Sequence, residues 1–231
     1  MKKNYHDVIT HYLMAIVGGF FGGYAIFARM NVFGSAQTAN LIELIKNILG
    51  ANYFEGILRI GALFIYVLAL ILGTYFTHRT DWNLKYLVLK IEIFCVILLG
   101  FIPMNVNPIM ALYPCFFATA FQWSIFKGAI GYTCSTIFST NNIKQTVIAF
   151  TEYFLADQQD IQQECLRKGC FFAGTLIFFH TGVALAYLLW TLFLEKSILF
   201  LLLFLCIIYI YLKISDNLFI KKNSIEKKMI A

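Results

Sequence analysis

The stretch VFGSAQTANLIEL, Val32 to Leu44, places several hydrogen-bonding side chains directly after the first long apolar run of the chain. These side chains are Ser35, Gln37, Thr38, Asn40 and Glu43. The rest of the sequence is strongly apolar, with 60% hydrophobic and 13% charged residues, about half the charged fraction of an average soluble domain. The composition predicts an all-α transmembrane protein, in which a polar stretch at this position needs a structural or functional reason.

Six segments are long and apolar enough to cross a bilayer core of about 30 Å, which takes roughly 17–25 helical residues. We expect them at His11–Phe27, Ile60–Phe76, Tyr86–Met104, Pro108–Phe126, Cys170–Leu194 and Ser197–Ile214. Two more segments, Gln37–Leu49 and Thr140–Ala156, have a helical pattern but are too polar for ordinary spans. We predict that these two are broken or re-entrant half-helices.

The positive charges favour six spans with the N- and C-termini in the cytoplasm. Thirteen of the 18 lysines and arginines then lie on the inner side and four on the outer side, with Lys90 inside a span. If the two polar segments also crossed, ten would lie inside and five outside, and Lys46 and Lys144 would lie within the membrane.

The two polar segments resemble each other, and each follows one span and precedes two more. TANLI (38–42) aligns with TNNIK (140–144), with identical Thr and Asn residues and an apolar fourth residue. The chain therefore divides into two membrane repeats, residues 1–105 and 106–215, followed by a basic cytoplasmic tail, residues 216–231. Because each repeat has three spans, the second is inverted relative to the first, as in many secondary transporters.

Each polar segment has a polar and an apolar helical face. In the first segment Asn40, Glu43 and Asn47 lie opposite an apolar face, and in the second Asn142 and Gln145 do the same. We predict that the two polar faces meet around a pseudo-twofold axis near the membrane midplane.

Two longer motifs point to a family. They are GGFFGGYAIFARMNVFGSAQTANLIEL, Gly18 to Leu44, and FQWSIFKGAIGYTCSTIFSTNN, Phe121 to Asn142. Together they resemble the two signatures of the YoaK-like bacterial membrane proteins, a domain family of unknown function. In the second motif the matching residues are Gln122, Phe126, Lys127, Gly131, Thr136, Thr140 and Asn142. The resemblance covers nearly the whole chain and implies a multipass protein of the bacterial cytoplasmic (inner) membrane, but it does not imply a substrate.

Three positions depart from the pattern of the YoaK-like family. Gly22 stands where the family has an acidic residue, and Ala39 and Asn141 stand where its two T-G-N motifs have glycine. Asn tolerates a left-handed backbone conformation, whereas Ala does so poorly. These departures predict a reshaped break or an altered activity.

The sharpest candidates for a substrate-binding site are the polar residues at the two breaks. They are Gln37, Thr38, Asn40, Glu43, Thr140, Asn141 and Asn142. Polar groups at broken helices near the midplane bind substrates or ions in many transporters. The alternative is that these side chains only cap the half-helices and join helices by hydrogen bonds, each worth about 0.6–2 kcal/mol. If Glu43 is buried, it offers a group for proton coupling.

Other polar residues lie inside apolar segments. Gln122 lies deep in the fourth span, where it either bonds a neighbouring helix or contacts a ligand. His180 is either a proton relay or a neutral side chain bonded to a neighbouring carbonyl. Glu92 lies near the cytoplasmic end of the third span, beside Lys90, whose long side chain can reach the interface.

The sequence contains no motif of a catalytic nucleophile and base, a phosphate-binding loop or a metal site. Its six cysteines form no C-x-x-C pair. The net charge of +6 is spread over loops and concentrated in the tail, which fits anionic lipid better than nucleic acid. We therefore expect no enzymatic activity, no cofactor, no metal and no nucleic-acid partner.

These features predict a secondary transporter or permease for a small polar solute or ion, with the lipid bilayer as its surroundings. The alternative is a non-transporting membrane scaffold, assembly factor or sensor, in which the polar motifs are structural. A homo-oligomer is open under either hypothesis.

Overall fold

A computed structural model describes the backbone of residues 2–29, 34 and 37–230, and the side chains of residues 5–29, 34 and 37–218. Ser35, part of the polar stretch, lies outside the described residues. The α-helices are α1 (Lys2–Ala28), α2 (Gln37–Leu49), α3 (Tyr53–Arg79), α4 (Leu84–Phe101), α5 (Pro108–Ala111), α6 (Tyr113–Ile125), α7 (Thr140–Leu155), α8 (Gln159–Phe193) and α9 (Leu201–Ile230). A hairpin of β1 (Gly128–Ala129) and β2 (Tyr132–Thr133) follows α6, and a 3₁₀ segment, Leu194–Phe200, joins α8 to α9.

The two polar segments are confirmed as helices. α2 has the predicted bounds, and α7 ends one residue earlier than predicted, at Leu155. Helices α3 and α8 extend beyond the spans predicted for them. Asn52 before α3 and Asn83 before α4 each accept a hydrogen bond from a backbone N–H of the first turn, which fixes where these helices begin.

The predicted fourth span is not one continuous helix. Asn107 and Pro108 start the one-turn helix α5, and α6 begins at Tyr113. Leu112 between them has φ −91° and ψ 3°. Helix α6 has 13 residues, which corresponds to about 20 Å and is less than the thickness of a bilayer core.

Helix α2 is amphipathic, with its apolar face turned outward. Asn40 and Asn47 are buried, whereas Ile42, Ile45 and Leu49 are exposed. This is the reverse of a surface helix in a soluble protein, in which the apolar face is buried. It fits a helix whose outer face contacts lipid.

Two pairs of helices form the centre of the fold. α1 packs on α8, and α3 packs on α6. The polar helices pack on these pairs, α2 on α3 and α7 on α8. α4 contacts α6 and α9, and α9 also contacts α1.

Glycines allow both pairs to approach closely. A Cβ atom at Gly19 of α1 would overlap the carbonyl of Phe179 in α8, and one at Gly182 of α8 would overlap the carbonyl of Ile16. A Cβ atom at Gly73 of α3 would likewise overlap a side chain of α6. Small residues at such interfaces give membrane helices the van der Waals contact that holds them together in lipid.

Polar contacts at the helix ends show which ends share a face of the bundle. Lys85 at the start of α4 forms an ion pair with Asp7 of α1 at 2.8 Å. Tyr86 donates a hydrogen bond to Asp216 of α9, also at 2.8 Å. The start of α1, the start of α4 and the later part of α9 therefore lie on one face, which we call the N-terminal face.

Two cations meet the other end of α4, on the opposite face. Arg29, directly after α1, donates to the carbonyl oxygens of Ile102 and Pro103 at 2.9 and 3.1 Å. Lys196 donates to the carbonyl of Gly100 at 2.7 Å. Both cations complement the carbonyl groups that a helix leaves free at its C-terminal end. α4 therefore runs parallel to α1.

Among the described residues, three helical stretches are long and apolar enough to cross a membrane, namely Tyr5–Ala28, Tyr53–Arg79 and Gln159–Leu218. The last combines α8, the 3₁₀ segment and most of α9. These stretches mark the chain as a helical membrane protein. α4 carries three charged residues and α6 is short, so the count of six spans stays a prediction.

Candidate functional site

The segment between α6 and α7 is the irregular part of the fold. It forms the β1–β2 hairpin and reaches α7 through residues 134–139. Gly128 and Gly131 have φ values of 142° and 88°, which residues with a side chain rarely adopt. This requirement gives a physical reason for Gly131, one of the positions that match the YoaK-like motif.

The hairpin is attached to the start of α8 by a polar cluster. The hydroxyl of Tyr132 donates to the carboxylate of Glu164, and Arg167 Nε donates to the same hydroxyl at 3.4 Å. Arg167 also pairs with Glu164 at 2.6 Å. Burial, and then the hydrogen bond to Glu164, raise the pKa of Tyr132, so the hydroxyl keeps its proton and remains a donor.

The later part of the segment lies against the middle of α1. The carbonyl of Thr136 occupies the space that a Cβ atom at Gly18 would need. Gly18 is close to the centre of the predicted first span, His11–Phe27, and Thr136 is completely buried. Non-helical backbone therefore lies beside the middle of the first apolar helix.

Gln122 connects this backbone to α1. Its Nε2 donates to the carbonyl of Met14 and to Oγ1 of Thr136, both at 2.8 Å. Its Oε1 has no partner among the described residues, although the side chain is completely buried. The amide nitrogen thus forms a hydrogen bond between α6 and α1, which is one of the two roles expected for Gln122. The amide oxygen remains able to accept a hydrogen bond from a ligand or a water molecule.

Asn142 holds the start of α7. Its Nδ2 donates to the carbonyls of Ser135 and Phe138 at 2.7 and 3.0 Å. Its Oδ1 accepts from the thiol of Cys134 at 3.3 Å, and that thiol also contacts Thr175 of α8. Both amide hydrogens and the oxygen of Asn142 are therefore used in bonds to the segment before α7.

A pocket of about 570 Å³ opens between α3, the end of α6 and the start of α7, and we call it the α6–α7 pocket. Its polar lining consists of Thr74, Ser124, Lys127, Thr133, Ser135 and Asn141. Asn141 is exposed, whereas the neighbouring Asn142 is completely buried. Of the two adjacent amides, Asn141 is therefore the one that can contact a solute.

In the first half, Asn40 belongs to a buried joint between α2 and α3. Arg59 Nη1 donates to Oδ1 of Asn40 at 3.2 Å. Nδ2 of Asn40 donates to the carbonyl of Arg59 at 3.3 Å and to Oε1 of Gln37 at 3.0 Å. The side-chain amide of Asn40 is thus fully engaged, whereas Nε2 of Gln37 and Nε of Arg59 have no partner among the described residues.

Glu43 is not buried. Its side chain is 39% exposed and pairs with Lys46 at 3.2 Å and with Arg59 at 3.7 Å. The condition for proton coupling through Glu43, namely burial, is therefore not met.

The remaining candidates do not line the α6–α7 pocket. Thr38 and Thr140, the first residues of the two aligned motifs, are exposed. His180 is exposed on α8, with its Nδ1 at 2.8 Å from the carbonyl of Leu176. The imidazole therefore contacts a carbonyl of the preceding turn of its own helix.

The predicted meeting of the two polar faces is not seen. The hydrogen bonds of Asn40 join α2 to α3, and those of Asn142 stay with the segment before α7. Within residues 37–218, no hydrogen bond joins α2 to α7. The physical reason is that each polar face is satisfied by its nearest neighbours in the chain.

The sequence reasoning missed the burial of Glu92. Its side chain is completely buried, and neither carboxylate oxygen has a partner among the described residues. Leu89, Cys95 and Val96, three or four residues away on the same helical face, are also buried. This periodicity was the signal that could have placed Glu92 inside the bundle. Lys90, by contrast, is exposed.

The arrangement offers polar contacts for a solute rather than a metal centre. Within the described part of the chain, no group of three or more His, Cys, Asp or Glu residues is placed to hold a metal ion.

Comparison with known proteins gives one match. No curated protein and no solved structure matches the chain. The model of a family described as "Protein of unknown function (DUF1275)" matches residues 10–211, which is most of the 231 residues. This agrees with the resemblance to YoaK-like proteins, and the chain therefore belongs to the DUF1275 family.

Proposed function

We propose that the protein is a secondary transporter or permease of the bacterial inner membrane for a small polar solute or ion. In this proposal α1, α3, α4, α5–α6, α8 and the 3₁₀ segment with α9 cross the membrane. Residues 1–105 and 106–215 form inverted repeats. The solute binds in the α6–α7 pocket, with Asn141 as a contact residue.

The packing of the helices supports the repeat. Each helix of the first half has a counterpart in the second half: α1 corresponds to α6, α2 to α7, α3 to α8 and α4 to α9. When every helix is replaced by its counterpart, the α1–α8 contact becomes the α6–α3 contact. The same exchange turns α2–α3 into α7–α8 and α4–α6 into α9–α1. Such an exchange is expected of two halves related by a pseudo-twofold axis.

The segments before the two polar helices also correspond. When Thr38 is aligned with Thr140, Gly34 falls on Thr136. Gly34 lies against α6, where its carbonyl accepts from Thr119 at 3.5 Å. Thr136 lies against Gly18 of α1, which aligns within one residue of Thr119. Each segment thus packs on the first helix of the other half.

The distribution of charge supports the orientation. Lys85 pairs with Asp7 on the N-terminal face, and Lys213 lies there three residues before Asp216. Arg167 lies on the same side, because it precedes Gly174 of α8, which contacts Tyr12 of α1. Arg29 and Lys196 lie on the opposite face. The inner side of a membrane protein carries the excess of lysine and arginine. The N-terminal face is therefore the cytoplasmic one in this proposal.

The observation that carries the proposal is the position of Thr136 beside Gly18, next to a pocket. Non-helical backbone at membrane depth occurs only where it is buried in protein or lines a water-filled cavity. Cys134 and Ser135, directly before Thr136, line the α6–α7 pocket. Transporters place their substrate sites at such interruptions of helices.

A solute screen with the purified full-length protein tests this proposal. We expect at least one amino acid, sugar, nucleobase or inorganic ion to raise the thermal unfolding temperature and to enter proteoliposomes that contain the protein. Asn141→Ala should abolish both effects without lowering the basal unfolding temperature. Thr140→Ala is the matched control, because Thr140 is exposed beside the pocket but does not line it.

Two results would overturn the proposal. One is a wild-type protein that no solute stabilises and that moves none across the bilayer. The other is an Asn141→Ala variant that responds to the solute like the wild type. Either result would favour the non-transporting scaffold, assembly factor or sensor.

A further inference from the structure

A second pocket lies between α4 and α9 at the N-terminal face, and we call it the α4–α9 pocket. It has a volume of about 570 Å³ and is lined by Trp82, Asn83, Tyr86, Lys90, Tyr209 and Lys213, with Leu87. None of these residues lines the α6–α7 pocket. The two pockets are therefore separate sites.

The α4–α9 pocket has an unbalanced positive charge. Lys90 and Lys213 are exposed, and neither forms an ion pair within the residues whose side chains are described. The nearby carboxylate of Asp216 already accepts from Tyr86 at 2.8 Å and from Asn83 at 3.3 Å. Two ammonium groups from two helices thus converge on one space.

The position of the pocket relative to the membrane identifies the kind of anion. Lys90 lies about 9 Å along α4 from its start at Leu84, so its side chain can reach the level of lipid headgroups. Trp82, Tyr86 and Tyr209 supply the aromatic side chains that are enriched at this level. Basic pockets between membrane helices on the cytoplasmic side suit the headgroups of anionic lipids.

We propose that the α4–α9 pocket binds the phosphate headgroup of an anionic phospholipid from the cytoplasmic leaflet. Lys90 and Lys213 contact the phosphate oxygens, and the aromatic side chains pack beside the glycerol. The amide of Asn83 and the hydroxyl of Tyr86 stay engaged with Asp216, which holds the start of α4 against α9. This site does not depend on the transport function proposed above.

The experiment measures which lipid the purified full-length protein retains from mixed detergent micelles. Phosphatidylglycerol and phosphatidylcholine compete, and native mass spectrometry counts the bound molecules. We expect the wild type to prefer phosphatidylglycerol at low salt. Lys90→Gln with Lys213→Gln should reduce this preference about 25-fold, which is roughly fivefold for each lysine.

Two further variants test whether a lost preference for phosphatidylglycerol comes from the charge at this site, from the total charge of the protein or from misfolding. Lys144→Gln with Lys168→Gln removes the same charge from the predicted cytoplasmic side but outside the pocket, and should keep the preference. The Lys90→Arg, Lys213→Arg variant keeps both positive charges and should also keep the preference for phosphatidylglycerol.

Three outcomes would overturn the proposal. The first is equal retention of the two lipids by the wild type. The second is an unchanged preference in the Lys90→Gln, Lys213→Gln variant. The third is displacement of phosphatidylglycerol by inorganic phosphate at an equal concentration, which would show a site for free phosphate instead of a lipid site.

Discussion

Arg59 donates from Nη1 to Oδ1 of Asn40 at 3.2 Å, and both residues are buried where α2 packs on α3. The contact makes Asn40 the acceptor of a buried cation. It also explains why Asn40 and Asn142, aligned in sequence, have different partners. Asn142 is bound to the segment before its own helix, whereas Asn40 is bound to the helix that follows.

Asn40→Ala should therefore reduce stability. The substitution leaves Nη1 of Arg59 without its side-chain acceptor, and we expect a loss of about 1–3 kcal/mol in the free energy of unfolding. Chemical unfolding in mild detergent measures this loss. Thr38→Ala is the control at an exposed residue of the same motif and should change stability by less than about 0.5 kcal/mol. An Asn40→Ala variant as stable as the wild type would contradict the structural role.

Gly18→Ala should displace the backbone before α7. The added Cβ atom would overlap the carbonyl of Thr136, and relief of such an overlap typically costs about 1–3 kcal/mol. At Gly56 of α3, the nearest atoms to an added Cβ are 3.9 and 4.0 Å away, so Gly56→Ala should instead add about 0.5–1 kcal/mol. Thermal unfolding of both variants measures the contrast, and equal effects would argue against the close contact at Gly18.

Glu92→Leu should increase stability. A buried polar group without a hydrogen-bond partner costs about 1–3 kcal/mol, and Leu removes this cost with a side chain of similar size. Glu152→Leu is the control at an exposed position and should be nearly neutral. Denaturant titrations compare the two variants, and a destabilised Glu92→Leu would reveal that the carboxyl group has a favourable partner.

The inverted repeat predicts opposite exposure of two loops. A tag inserted at residue 53, where α3 begins, should be accessible from outside the cell. A tag at residue 160, at the start of α8, should be accessible only from the cytoplasm. Labelling of intact and permeabilised cells with an impermeant reagent distinguishes the two. Finding both tags on one side would contradict three spans per half.

Much of the secondary structure could be predicted from periodicity. The bounds of α2 follow from the change from an apolar run to the pattern of Asn40, Leu44 and Asn47, which recurs on one helical face. Hydropathy alone did not predict the break at Leu112, because Pro108–Phe126 is apolar on both sides of it. Pro114 in the first turn of α6 lacks a backbone N–H, which favours the start of a new helix at this point.

The candidate site was predictable only in part. The T-N-N motif indicated a helix start, but its sequence did not show that Asn142 would be buried and Asn141 exposed. That difference depends on the rotation of α7 about its axis, which is set by contact with α8. Gln122 was placed correctly in the interior, since one amide in an apolar run requires a hydrogen-bond partner.

The glycine contacts at Gly19, Gly73 and Gly182 have a mechanical consequence. Backbone pressed against backbone leaves α1 and α8 little freedom to slide, and α7 is carried on α8. Helices α3 and α6, which are in close contact at Gly73, form a second stiff unit together with α2, which packs on α3. Any opening of the bundle then occurs between these two units, which Gln122 of α6 bridges to Met14 and Thr136. Separation of the two units would therefore require that both hydrogen bonds of Gln122 break first.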